Sequence, residues 1–166
     1  MATTPTTTFQ PAFKRVAQQD RHDDAFAVLA MLTGKTLDSL LRQAETLGLP
    51  KTGPYYPWID GDLIAKLLAA HGLVATVWKE AKSYTDKDMP EVAIAMVDYD
   101  PDWEVGRCVL YHRNTSTDGK TAQPYVVDPY PHVDTKLHLR VGTAALAELP
   151  PSWFIGVTQM GKAAAK

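Results

Sequence analysis

The chain has 166 residues, of which 45% are hydrophobic, so it is long and apolar enough to form one globular domain with a buried core. Its formal net charge of −2 gives no electrostatic reason to expect nucleic acid or an anionic membrane as a partner. The single cysteine excludes an internal disulfide framework and favours a reducing compartment.

The two ends of the chain are predicted to be tails that flank one domain. Residues 1–12 are rich in threonine and lack a basic segment followed by an apolar core, so they do not have the pattern of a secretory signal. Residues 160–166 form the second predicted tail, which leaves 13–159 as the domain. The longest apolar run, 25–32, is too short to span a bilayer. We therefore expect a soluble protein in the cytoplasm or within a virion.

Hydrophobic periodicity predicts three helices in the first half of the chain. The first has a continuous apolar sequence, which indicates burial on all sides, and Gly34 suits the left-handed position that ends it. The second has Thr36 as its N-cap, and the third has Asp60 or Asp62. The predicted helices cover 24–33, 37–47 and 63–71.

Beyond Gly72 the pattern changes to runs rich in β-branched and aromatic residues, which predict strands. These runs lie at 73–78, 92–97, 108–111 and 125–127, followed by a strand near 136–140, a short helix near 143–149 and a final strand at 153–157. Asp118-Gly119 marks a hairpin turn. Helices first and strands afterwards predict an α+β fold, with the helices packed on an antiparallel sheet.

The start of the first helix carries the most informative residues of the chain. Gln18 stands six residues before Asp24, which opens the apolar run that ends in Leu-Ala-Met-Leu at 29–32. This arrangement resembles the papain-like cysteine peptidases, and within them the bacteriocin-leader (double-glycine) peptidases, in which a Gln of the oxyanion hole precedes the catalytic Cys by the same distance. The resemblance implies a papain-like fold over nearly the whole domain.

The resemblance also implies that two of the three catalytic positions have changed. Asp24 stands where the family has its nucleophilic Cys, and Arg107 stands where it has the catalytic His. Asp128 matches the Asp that orients this His, and Gln18 matches the oxyanion residue. A carboxylate is a poor nucleophile toward an amide, and a guanidinium stays protonated and cannot act as a base. We therefore expect a peptidase fold without peptidase chemistry.

Asp24 and Arg107 carry the same charge signs as the thiolate and imidazolium that they replace. We expect an ion pair between them, with Asp128 as a second acceptor for the guanidinium. Asp24 is also expected to be the N-cap of the first helix. For Gln18 two interpretations stay open, a donor to a bound carbonyl and a loop residue that caps the helix.

A metal site is not expected. His22, Asp23 and Asp24 would need His112 or His132 to complete a ligand set, and their spacing matches no known pattern. Adjacent residues rarely point at one ion. The sequence therefore predicts neither a metal nor another cofactor.

Two other catalytic arrangements are disfavoured. Asp24 and Asp128 as an acid/base pair would need one raised pKa, which an arginine between them opposes. Cys108 as a relocated nucleophile is expected to face the opposite side of its strand from Arg107, where it would be a small buried hydrophobic residue.

A catalytic frame without its nucleophile favours binding over proteolysis. The aromatic residues Tyr55, Tyr56, Trp58, Trp103 and Tyr130 are expected to line a peptide groove beside the former active site, unless they pack in the core. The leading prediction is a pseudopeptidase that binds a protein or peptide partner. The alternative is a structural subunit of a larger assembly, such as a virion or a secretion apparatus, and an active hydrolase with a non-standard site comes third. An open cleft lined by Tyr and Trp favours the first, and an occluded cleft favours the second.

Overall fold

The computed structural model of the chain describes residues 9–52, 59–82, 88–115 and 122–161. Within these ranges there are four α-helices, seven β-strands and one 3₁₀-helix, the last at Thr135–Leu137. The α-helices are α1 (Asp24–Thr33), α2 (Leu37–Thr46), α3 (Gly61–Ala69) and α4 (Ala144–Glu148). The strands are β1 (Leu73–Ala75), β2 (Lys79–Glu80), β3 (Val92–Asp100), β4 (Val105–Thr115), β5 (Ala122–Val127), β6 (Leu139–Val141) and β7 (Trp153–Gln159).

The strands form one sheet in the order β1-β7-β3-β4-β5-β6, with β2 paired to β7. Every pairing is antiparallel. The helix α1 packs on β4 and is flanked by α2 and α3, whereas α4 packs on β5 and β6. The predicted α+β fold, with N-terminal helices on an antiparallel sheet, is confirmed. No helix in the described ranges combines the length and the apolar character that crossing a membrane requires.

The central helix α1 is buried on all sides, as its sequence predicts. Every residue from Ala25 to Met31 is buried. At its end Gly34 has a φ of 70° and donates its N–H to the carbonyl of Ala30, the left-handed ending that glycine adopts without strain. The amphipathic helices α2 and α3 bury only one face each, so α1 is the centre of the helical layer.

The start of α1 differs from the prediction. The N-cap is Asp23, not Asp24, and the Asp23 side chain makes no capping bond to the helix. Its carboxylate instead accepts the backbone N–H groups of Gln19 and Asp20, which holds the preceding loop. Asp24 is therefore the first residue of the helix, and its side chain is directed to a contact with the sheet.

The predicted caps of α2 and α3 are confirmed, whereas several strands have bounds that differ from the predicted ones. Thr36 and Asp60 are the N-caps of α2 and α3, and each accepts the backbone N–H of the residue three positions later. Only the first half of the strand predicted at 73–78 forms, as β1, and β2 is a separate short strand beyond the predicted range. The strand predicted at 136–140 overlaps the end of the 3₁₀-helix and the start of β6. The turn predicted at Asp118-Gly119 lies outside the described residues, although β4 and β5 pair antiparallel as such a turn requires.

The segment before α1 is fixed to the sheet by Tyr125. Phe9 packs edge-to-face on the Tyr125 ring, with centroids 5.2 Å apart. The Tyr125 hydroxyl accepts the backbone N–H of Ala12 at 3.0 Å and that of Phe13 at 3.3 Å. The described part of the predicted N-terminal tail, residues 9–12, therefore contacts the sheet.

The same hydroxyl favours the neutral form of His112. The Tyr125 oxygen lies 2.8 Å from Nδ1 of His112. Because this oxygen already accepts two N–H groups, its own hydrogen points to Nδ1, and Nδ1 accepts only in the neutral ring. Burial lowers the pKa of His112, against a smaller opposing effect of Glu91. Attachment of the segment thus favours neutral His112.

Candidate functional site

A pocket of about 460 Å³ opens above the N-terminus of α1. Asp24 and Cys108 are among the residues that line it. Three aromatic side chains from separate parts of the chain, Trp78, Tyr99 and Trp153, form what we call the aromatic wall. Apolar contact area and a partly buried carboxyl therefore occur together at the head of the central helix.

The strand order brings these residues together. β3 lies between β4 and β7, and Met96 of β3 is paired with Cys108 on one side and with Trp153 on the other. Trp78 reaches the pocket from the segment between β1 and β2 and covers the start of α3, where its ring lies 3.5 Å from the position that a Cβ on Gly61 would take. An added Cβ would make ordinary van der Waals contact with the indole, so Trp78 packs closely on the start of α3.

Asp24 is bonded to the residue opposite it on β4. Its Oδ2 accepts the backbone N–H of Cys108 at 2.5 Å, and the thiol of Cys108 also bonds to the carboxyl. Burial raises the pKa of Asp24, and the bonds from Cys108 only partly oppose this effect. Burial, together with the neighbouring Asp24, raises the pKa of Cys108 well above 9.0. The thiol therefore stays protonated at neutral pH.

The predicted ion pair between Asp24 and Arg107 is wrong. Nε of Arg107 lies 2.6 Å from Oδ2 of Asp98, and its Nη1 lies 2.6 Å from Oδ1 of Asp128. The predicted contact between Arg107 and Asp128 is thereby confirmed. Burial works to lower the pKa of Arg107, but its bonds to Asp128 and Asp98 outweigh burial and raise that pKa.

The alternation of side chains along β4 explains this result. Successive residues of a strand face opposite sides of a sheet. Cys108 and Leu110 belong to the core beneath α1, whereas Val109 and Tyr111 belong to the core beneath α4. Arg107 has the parity of the second set, so the residue that faces position 24 is Cys108. The predicted burial of Cys108 is correct, but its predicted separation from the site is not.

Asp128 is fully buried and is the centre of what we call the arginine cluster. Besides Arg107, Nη1 of Arg140 lies 3.6 Å from Oδ2 of Asp128, an ion pair without hydrogen-bond geometry. Arg15 donates to the backbone carbonyl of Asp128 at 2.7 Å. Nε of Arg140 lies 3.3 Å from Glu148 of α4. The arginine cluster is thus an ion network that joins the sheet to α4.

Comparison with known proteins identifies the fold. No protein-family model and no curated protein matches the chain. Among solved structures, the peptidase domain of Streptococcus ComA, a bi-functional ABC transporter involved in a quorum sensing pathway, is 16% identical, with a TM-score of 0.55 over 89% of this chain and 99% of that one. A double glycine motif protease from an AMS/PCAT transporter, in complex with the leader peptide, is 11% identical, with a TM-score of 0.58 over 89% and 92%. The chain has the papain-like fold of the double-glycine peptidases.

Cys108 does not have the surroundings of an activated cysteine nucleophile. Such a nucleophile needs a thiol with a lowered pKa beside a base. At this site the cysteine has a raised pKa and is bonded to a carboxyl, and the nearby guanidinium is bonded to two carboxylates. In the described ranges no three His, Cys, Asp or Glu side chains are grouped to hold a metal ion. The arrangement can supply hydrogen bonds and apolar contact to a ligand.

Gln18, which the sequence predicts to match the oxyanion residue of the papain-like peptidases, is buried before α1. Its Nε2 donates to the carbonyl of Asp20 at 2.9 Å, and its backbone N–H donates to the carbonyl of Pro129 at 3.0 Å. These bonds tie the loop before α1 to the turn after β5. The side-chain amide is thus used within its own loop, and an oxyanion role stays a prediction.

Of the aromatic residues predicted for the groove, Trp103 and Tyr130 are in the described ranges, and neither lines the pocket. Tyr55, Tyr56 and Trp58 lie outside the described residues. Trp103 is 78% exposed in the turn between β3 and β4, and it is not part of the lining. Tyr130 packs against the guanidinium of Arg107, 5.8 Å from its ring centroid, and belongs to the arginine cluster.

The sequence did not predict the aromatic wall, because strand pairing brings its residues together. Trp153 begins the last strand and Tyr99 lies near the end of β3, positions that the sequence alone does not place side by side. The available signal was an aromatic residue at the end of each of several predicted strands. That signal does not say which strand ends meet.

Proposed function

We propose that this chain is a pseudopeptidase, a papain-like domain that cleaves no peptide bond and binds a peptide segment of a partner protein in the pocket above α1. The observation that carries the proposal is the open pocket with its aromatic wall at the head of the central helix. Large, rigid aromatic side chains provide much of the binding energy at recognition surfaces. The alternative, a structural subunit of a larger assembly, predicts an occluded cleft. The open pocket argues against this alternative.

The residues at the base of the pocket support binding without cleavage. The protonated thiol of Cys108 is a weak nucleophile, and the carboxyl of Asp24 holds it through a hydrogen bond. Attack on an amide also needs a base to accept and return the proton. Arg107 stays charged in its two ion pairs and does not provide one.

A peptide is the ligand class that the fold comparison favours. The similar protease from an AMS/PCAT transporter was solved in complex with the leader peptide. A pocket of the present size holds one or two side chains, so we expect an extended segment to insert its anchor residues there while its remaining length crosses the surface.

Selection of displayed random peptides of about 12 residues on the immobilised chain tests the proposal. Affinities of the selected peptides are then measured by fluorescence polarisation. We expect Trp78→Ala to weaken binding by about tenfold or more, since it removes part of the aromatic wall. Trp103→Ala is the matched control because this indole is exposed and lies outside the pocket.

Two results would overturn the proposal. One is a selection that yields no peptide above the level of a resin without the chain. The other is cleavage of a bound peptide, detected by mass spectrometry, that is lost in Asp24→Ala or Cys108→Ser. Equal affinity of the two Trp variants would place the peptide elsewhere on the domain.

A further inference from the structure

The pocket carries negative charge on a mostly apolar lining. Asp24, Asp60 and Glu104 are among the residues that line it, and we call their carboxyls the carboxylate trio. None of the described lining residues is Lys or Arg, and His22 is the one histidine among them. A ligand in this pocket therefore meets three acidic groups beside the aromatic wall.

The nearest cation along the chain does not neutralise this charge. Arg107 neighbours Cys108, but its guanidinium is bonded to Asp98 and Asp128 at 2.6 Å each. Asp128 also attracts Arg140, and Asp98 lies on the exposed edge of this group. The arginine cluster balances its own carboxylates. Lys66 also feels the charge of Asp60, but its ammonium is paired with Asp62 and it is not among the lining residues, so the carboxylate trio dominates the charge of the lining.

Two members of the trio are held in place by the backbone. Asp60 is the N-cap of α3, and its Oδ1 accepts the N–H of Leu63 at 2.8 Å. Asp24 is bonded to Cys108 at the head of α1. A carboxylate that is already held in place loses little side-chain entropy when it binds a cation, so more of the interaction energy remains as binding free energy.

Asp24 would gain most from a cation in the pocket. Burial disfavours the charged form of its carboxyl, and the neighbouring thiol is a neutral donor that compensates only in part. A positive group within a few ångströms favours the charged form, and the attraction is stronger in a partly buried pocket than in water. Aromatic rings also attract a cation placed over their faces.

From these contacts, and resting on the proposed function, we infer that the pocket selects peptides in which a lysine or arginine stands next to large apolar residues. The cationic head lies among the carboxylate trio, and the side-chain stem and the apolar neighbours pack on the aromatic wall. An acidic segment is repelled by the same three carboxyls. The charge of the pocket thus decides which partner segments bind.

The peptides selected on the wild-type chain provide the first test, because their composition is read directly by sequencing. We expect an excess of Lys or Arg beside Leu, Ile, Phe or Trp relative to the unselected library. Changing the cationic residue of a selected peptide to Gln is expected to weaken binding by about tenfold. The affinity of the Lys peptide is expected to fall with added salt and to rise with pH as Asp24 ionises.

A charge-matched pair of variants locates the effect. The double variant Asp60→Asn/Glu104→Gln removes two charges, and Asn keeps the capping ability at position 60. It is expected to reduce affinity for the Lys peptide by roughly fivefold and to leave the Gln peptide nearly unchanged. Asp38→Asn/Glu45→Gln removes the same charge from α2, outside the pocket lining, and is expected to change neither affinity.

The outcomes separate this inference from the proposed function. If the selected peptides bind through Trp78 but show no excess of Lys or Arg, the inference is overturned and the proposed function stands. If the α2 variant reduces affinity for the Lys peptide as much as the pocket variant does, the attraction is a general effect of net charge, and the inference is again overturned. If no peptide is selected, both fail.

Discussion

Replacing Asp128 by alanine tests whether the arginine cluster is a buried ion network. The Asp128 side chain has no exposed surface, and its removal leaves Arg107 and Arg140, which are 23% and 12% exposed, without their shared partner. Loss of one partner of a buried ion pair costs about 3–5 kcal/mol, because the remaining charge stays desolvated. Arg107 retains Asp98 and Arg140 retains Glu148. We therefore expect the free energy of unfolding to fall by about 3 kcal/mol, the lower end of this range.

Urea unfolding followed by tryptophan fluorescence measures this change. With a slope of about 1–3 kcal/mol per molar urea, the expected loss lowers the midpoint by about 1–3 M. Asp98→Ala is the matched control, since it removes a carboxylate at the same 2.6 Å from the same guanidinium but from a side chain that is 62% exposed. It should cost less than about 1 kcal/mol. If Asp128→Ala costs no more than Asp98→Ala, the network is not desolvated and the reasoning is refuted.

Three further results are expected. Because the pKa of folded His112 is lowered, the unfolded chain binds more protons as the pH falls below 6.5, so thermal stability should decrease in that direction, and less so in His112→Gln. Gly106→Ala should lower the free energy of unfolding by about 1–3 kcal/mol, since the added Cβ would lie 2.7 Å from a backbone carbonyl oxygen, and an unchanged urea midpoint would contradict this. Asp24→Cys with Cys108→His places a thiol opposite an imidazole and should react with iodoacetamide faster than Asp24→Cys alone, whereas Asp24→Cys with Arg107→His should show no such increase.

The sequence predicted the helical layer well because its signals are local. The continuous apolar run of α1 predicted burial on all sides, and Gly34 supplied the residue that ends it. The caps Thr36 and Asp60 were predicted from their position before an apolar repeat. Each of these features depends on residues a few positions apart, which is the range over which helical spacing acts.

The contacts across the sheet were predicted less well because they depend on strand parity. The pattern around β4 is apolar on both sides, since Val109 and Leu110 are both buried, so the sequence did not show which side faces α1. A family motif placed Arg107 at the histidine position, and the observed parity placed Cys108 opposite Asp24 instead. The register of β3 also shifts just after Val97. One extra residue in a strand reverses the side of the sheet that every later side chain faces, and the sequence carries no signal for this shift.

A pair of ¹H–¹⁵N spectra, recorded with and without a selected peptide, tests the central claim most directly. The account predicts that the largest shifts occur at the Cys108 amide and at the indole N–H groups of Trp78 and Trp153, while that of Trp103 is unchanged. It also predicts that the peptide keeps its full mass throughout. Shifts confined to other surfaces of the domain, or a peptide cut during the experiment, would contradict the claim that this pocket binds without catalysing.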